Sequence, residues 1–111
     1  MRILTATAII AVLASTGATA ASARPGALDD KGLVSAARCV GLANSTNLGA
    51  VSNVAEINLW LQNQIVVRDP LPGGRAKSAE IRAKKEADGA QGAGKDKLIA
   101  ERDGPCSTIL S

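Results

Sequence analysis

The chain has no histidine, no tyrosine and no phenylalanine, and Trp60 is its single aromatic residue. Each absence closes a class of function. Without histidine there is no Ser-His-Asp or Cys-His relay, no imidazole metal ligand and no imidazole switch near neutral pH. Without clustered aromatics there is no platform on which nucleic-acid bases stack. The formal charge of +3 is too mild for a phosphate-backbone partner, so no nucleic acid is expected. Cysteine is limited to Cys39 and Cys106, in neither a Cys-x-x-Cys redox spacing nor a cluster of three or four metal ligands. No metal and no cofactor is expected.

Long apolar runs are also missing beyond the first residues. Ile3 to Ala14 is the longest, broken only by Thr5 and Thr7. It falls short of the roughly 20 apolar residues that span a bilayer, and it suits the apolar region of a secretory signal peptide. Arg2 precedes it and a small-residue stretch, Ser15 to Ala23, follows. Ala18-Thr19-Ala20 and Ala21-Ser22-Ala23 both present small side chains one and three residues before a cut. Residues 1–20 are therefore read as a signal peptide, with cleavage after Ala20 or Ala23. The expected product is an exported protein of roughly 90 residues, periplasmic or extracellular, with no integral membrane span. Arg2 is one of the 13 Lys and Arg residues, so processing lowers the net charge by one.

An exported compartment is oxidising, and two cysteines offer one pairing. A Cys39–Cys106 disulfide would close a loop of about 68 residues and contribute roughly 4 kcal/mol in the chain-entropy model. That matters here, because a core of Ala, Val, Leu and Ile lacks the 150–250 Å² that each aromatic side chain buries.

The patterning is helical throughout, and the fold class expected is all-α: a small bundle of three to four short helices closed by the disulfide. Residues 21–28 read as a flexible entry and 29–111 as one domain. Asp29 or Asp30 caps a first helix with Leu33, Ala36, Ala37 and Val40 on one face, ending near Gly41. Asn44 to Asn47 is a polar break. Ala50, Val54, Ile57, Leu61 and Ile65 then form a stripe at helical spacing. This predicts a helix over 48–66 as the central core element, with Val51, Leu59 and Trp60 widening its apolar face. Alternation of Ile57, Leu59 and Leu61 admits a strand over 57–67, but Gln62-Asn63-Gln64 interrupts it. Asp69 to Gly74 reads as a stop. A charged helix over 75–88 carries Ala76, Ala79, Ala83 and Ala87 on a narrow face with Ile81 off it, and a short helix over 95–102 ends at Gly104-Pro105.

Few features point to chemistry. Glu56 stands alone among uncharged residues beside the apolar stripe, which makes it, with Asp69, the carboxylate pair on which an enzyme would have to rest. Gly89-x-x-x-x-Gly94-Lys95 resembles a phosphate loop, but Asp96 replaces the magnesium-binding hydroxyl and no buried strand precedes it. Asn44-Ser45-Thr46 fits the glycosylation acceptor pattern. Arg75, Lys77, Arg82, Lys84 and Lys85 form the main positive cluster, a candidate face for an anionic partner. On its own helix it is opposed only by alanine, which gives little apolar area for a membrane interface. Pairs such as Glu80–Lys84 and Arg82–Glu86 would turn the cluster into an ordinary solvated face. The function expected is non-enzymatic surface binding to an envelope component or protein; the sequence leaves the oligomeric state open.

Intact mass of protein purified from its host, after alkylation without reductant, tests export and the staple together. The expected mass begins at Ala21 or Arg24, is two hydrogens light and carries no alkyl group.

Overall fold

The computed structural model describes residues 24–111; the expected signal peptide lies outside the described residues. Among these the structure is all-helical. The elements are α1 (Asp30–Ala43), a 3-10 turn (Thr46–Leu48), α2 (Val54–Val66), α3 (Pro70–Asp88), α4 (Gly92–Asp103) and α5 (Ser107–Leu110).

α1 begins as the sequence predicts. Asp29 is extended, and its Oδ1 accepts from the Gly32 N–H at 2.7 Å, satisfying one orphan donor of the first turn. Leu33, Ala36, Ala37 and Val40 are buried. The helix does not stop at Gly41, however. It runs to Ala43, and Gly41 is where α3 comes closest: a Cβ built there would lie 2.3 Å from the Glu80 carbonyl oxygen and 2.8 Å from the Ala83 Cβ. α3 meets it with Ala76, Ala83 and Ala87, all buried, and Ile81 points away. The alanine face is therefore a packing face, and glycine is required for steric room.

The centre of the bundle is α1, not the 48–66 segment. One cluster joins Leu33, Ala37 and Val40 to Ile57, Leu61 and Ala76; the other joins Cys39 and Leu42 to Leu48, Ala83, Leu98 and Cys106. α1 contributes to both, one on each side, and Ile109 and Leu110 of α5 touch both. The expected helix over 48–66 is shortened to Val54–Val66, since Leu48 ends a 3-10 turn begun at Thr46; the polar break at 44–47 binds the end of α3. Ser45 donates to Asp88 Oδ1 at 2.6 Å, and Asn47 Nδ2 donates to the Ala87 and Ala90 carbonyls, both at 2.9 Å, closing the C-terminal end of α3. Gly49 then turns the chain at φ +102, a conformation that suits glycine. Of the expected core residues, Ile57 and Leu61 are buried, Val54, Trp60 and Ile65 are half-buried, and Leu59 is exposed.

The stop at 69–74 both ends α2 and starts α3. Asp69 is extended, Pro70 occupies the first helical position, and Pro72 lies in the same first turn, where a missing N–H breaks no helical bond. α3 thus gains more than a turn over the expected 75–88. α4 likewise opens earlier than expected, at Gly92, and Gly104 closes it just before Cys106. The Cys39–Cys106 disulfide is formed, with Cα atoms 5.5 Å apart, and ties the end of the chain to the central helix.

The entry expected to be flexible is held from Arg24 onward. Trp60 and Gln64 on α2 and Arg68 just beyond its end, at steps of four residues, donate in order to the carbonyls of Pro25 (3.2 Å), Gly26 (2.8 Å) and Leu28. Arg24 donates to the carbonyls of Ile109 (2.9 Å) and Ser111 (2.6 Å), and its guanidinium lies 5.8 Å from the Trp60 ring centroid. Trp60 is half-buried because its work is to hold this strap.

One ion-pair network crosses three helices. Arg38 on α1 binds Glu101 on α4 through two bonds, 2.6 and 2.9 Å, and Glu86 on α3 at 3.0 Å. The bond from Arg38 holds the Glu101 carboxyl below its ordinary pKa, against a smaller opposing effect of burial.

Two predictions follow from this packing. Gly41→Ala gains helix propensity of roughly 1 kcal/mol, but its methyl must displace the α3 backbone. We expect a net loss of about 2 kcal/mol or more by denaturant unfolding, and a neutral or stabilising outcome would overturn the close approach. The second concerns acid. A carboxyl whose folded pKa lies below its unfolded one contributes stability above the unfolded pKa and loses it as pH falls through the folded pKa. Stability should therefore decline below about pH 4.5, the ordinary Glu value, and Glu101→Gln should flatten that decline while lowering stability at neutral pH.

Candidate functional site

The five cations singled out in the sequence all lie on α3, but they do not form one patch. At about 100° per residue, Arg75 and Arg82 fall within about 20° of each other, while Lys77 and Lys84 lie about 140–180° away. The buried alanine face runs between the two pairs. Lys85 points between them on the solvent side.

The two flanks differ in charge. On one, Lys77 pairs with Glu80 at 3.2 Å and Lys84 with Asp88 at 2.8 Å. The Asp88 carboxyl is held below its usual pKa by Lys84 first and by the Ser45 hydroxyl second. The expected Glu80–Lys84 and Arg82–Glu86 pairs are absent among the described residues, since Lys84 turns to Asp88 and Glu86 to Arg38. This flank borders a groove of about 370 Å³ floored by Leu61, Ile65 and Ile81. Asn44 and Asn58 exchange amide hydrogen bonds of 2.7 and 3.1 Å at one end of it. Asn44 Nδ2 also donates to the Val40 carbonyl at 2.8 Å, so both protons of the acceptor amide are engaged in the fold. Each lysine here already has an acid.

On the other flank, Arg75 and Arg82 have no acidic partner among the described residues. They border a shallow groove of about 610 Å³ between α1 and α3, with Leu71, Ser78 and Ala79 from α3 and Val34 from α1. A second depression continues past Arg75 to Lys31, Pro72 and Asp30, whose carboxylate pairs with Arg68 at 3.2 Å. Lys31, too, makes no ion pair among the described residues. Leu71, Arg75, Ser78 and Arg82 follow each other at steps of four, three and four residues, one line along α3. Leu71 is 65% exposed, with Val66 and Val67 exposed just before it at the end of α2.

Glu56 lies on the exposed side of α2, 4.0 Å from Arg24. It is in the first turn and Asp69 follows the last, so a helix length of about 15 Å separates the two ends. The structure does not bring this carboxylate pair together. Gly92 and Gly94 of the phosphate-loop-like stretch lie in the first turn of α4, preceded by α3. Among the described residues no group of three or more acidic or cysteine side chains gathers in a way that would hold a metal ion.

Sequence reasoning identified the cations but missed the exposed Val66, Val67 and Leu71 beside them. The signal was present in Val66-Val67 followed by Pro70-Leu71-Pro72, a proline-rich helix start that reads equally as a loop. The chain matches no protein-family model, no curated protein and no solved structure.

Proposed function

We propose that this chain is a small exported, non-enzymatic binding domain that engages an anionic partner through the α1–α3 flank carrying Arg75 and Arg82. The observation that supports this reading is the asymmetry of α3. Four cations occupy two opposed flanks, and only Arg75 and Arg82 have no acidic partner among the described residues: Glu86, one turn after Arg82, pairs with Arg38, and Asp30, beside Arg75, pairs with Arg68. Two guanidiniums seven residues apart on a helix are about 10 Å apart along the axis, a spacing that meets two anionic groups of an extended surface. Arginine is suited to this, because its planar fork donates two parallel hydrogen bonds to a carboxylate or phosphate. The disulfide and the strap supply the rigidity that such a surface needs from so light a core.

Two variants of equal net charge test the reading: Arg75→Gln/Arg82→Gln and Lys77→Gln/Lys84→Gln. Binding of the oxidised protein to fluorescent poly-glutamate and to anionic phospholipid vesicles is measured in about 0.01 M salt, where the Debye length is about 30 Å. The arginine pair should weaken binding to at least one probe about tenfold or more, and the lysine pair by no more than about twofold. Equal loss in the two variants would mean that net charge alone acts, and failure of the parent protein to bind either probe would remove the reading.

A further inference from the structure

Three bulky apolar side chains within one six-residue stretch take no part in either core cluster. Val66 is 66%, Val67 78% and Leu71 65% exposed. They occupy the corner where α2 ends and α3 begins. The backbone there is stiff, with Pro70 and Pro72 fixing φ through the first turn of α3. Arg68, in the middle of the corner, is turned inward to the Leu28 carbonyl and to Asp30 at 3.2 Å. The corner therefore presents valine and leucine outward and withdraws its own cation. Immediately along α3 stand Arg75 and Arg82, and across the groove Lys31.

We infer that this corner docks on an anionic phospholipid surface, with Val66, Val67 and Leu71 entering the interface and Arg75, Arg82 and Lys31 meeting the headgroups. The inference rests on the anionic-partner reading above and names the partner. Charge complementarity and shape select it. Cations without an ion-pair partner fit a negative surface, each adding about fivefold to the affinity when it lies near one. The apolar residues are exposed at the corner and line no enclosed cavity, and a fluid interface accepts such side chains without a preformed pocket, whereas an acidic protein would need a matching cavity. The apolar area is small, so attachment is reversible and salt-sensitive, unlike a membrane span. None of the described helices is long and apolar enough to cross a bilayer. Asp69 in the same corner and Asp30 beside Lys31 are exposed and oppose the negative surface, Asp30 being paired with Arg68.

Co-sedimentation with vesicles of phosphatidylglycerol and phosphatidylcholine, against phosphatidylcholine alone, tests the inference in the oxidised protein. The expected result is binding to the anionic vesicles only. Val67→Ser/Leu71→Ser should reduce it about tenfold, since burying such side chains is worth at least that factor. Arg75→Gln/Arg82→Gln should reduce it about thirtyfold at two cations, and Asp69→Asn should strengthen it. All the altered side chains are exposed, and unchanged circular dichroism with alkylation-resistant cysteines verifies the fold. Two outcomes overturn the inference yet leave the anionic-partner reading standing. One is arginine-dependent vesicle binding that ignores Val67→Ser/Leu71→Ser, which is purely electrostatic attachment. The other is binding to poly-glutamate without binding to vesicles, which points to an acidic protein. Binding to neither probe overturns both.

Discussion

The contact between Gly41 of α1 and the Glu80–Ala83 segment of α3 sets the terms for the rest of the molecule. A chain without phenylalanine or tyrosine cannot fill the space between helices held 8–10 Å apart by large side chains. It can bring two backbones together instead. Gly41 admits the Glu80 carbonyl, and Ala76, Ala83 and Ala87 lie flat along the seam. Dispersion and burial are then supplied by main chain and methyl groups at close range, and the few leucines and isoleucines fill the two sides of α1. The arrangement is intolerant: the space for one methyl at position 41 does not exist.

Such a seam holds two helices, and α2 adds Ile57 and Leu61 to one side of it, but α4, the segment at residues 24–28 and the C-terminal residues bring little apolar area of their own. They are attached by other means. Cys39–Cys106 fastens the C-terminal end to the helix that already carries Gly41. Arg38 reaches from that same helix to Glu86 and Glu101, so α4 is joined to α1 and α3 by a two-pronged guanidinium–carboxylate contact. The strap at residues 24–28 is bound to α2 by a ladder of donors one turn apart, and Arg24 joins that strap to the last carbonyls of the chain. Polar and covalent ties do at the periphery what aromatic side chains do in richer cores. This gives Trp60 its place as a donor at the rim and not a core residue.

What could be read from the sequence were features that depend on period alone. Leu33, Ala37 and Val40, the Ala76–Ala83–Ala87 face, outward Ile81 and the cysteine pair all follow from spacing within one element or from having one possible partner. What escaped were features decided between elements. Gly41 looked like a terminus because glycine weakens helices; its reason is a neighbour forty residues away. Residues 48–53 continued the helical period through Ala50, but Gly49 turns the chain, and the polar break ahead of it uses Ser45 and Asn47 to close the end of α3. Pro70, Pro72, Gly73 and Gly74 are helix breakers in the interior and are acceptable in a first turn. Composition alone does not tell which use is made of them. The cationic cluster was located correctly in sequence, but its division into two flanks depends on the rotational phase of α3 and on which acids lie within reach.

That phase is fixed by the packing that the core requires. With the alanines turned to Gly41, positions 75 and 82 must emerge on the α1 side and 77 and 84 on the α2 side. The acids available on α3 are Glu80, Glu86 and Asp88. Glu80 and Asp88 serve the lysine flank, and Glu86 is taken by Arg38. The arginine flank is left uncompensated by the same geometry that makes the core. Beginning the helix at Pro70 adds the turn that carries Leu71, four residues before Arg75 and eleven before Arg82, on that same line. Had α3 begun at residue 75, Leu71 would sit in a loop with no fixed relation to the two guanidiniums. The early start thus turns a row of charges into a surface that is apolar at its tip and cationic along its length.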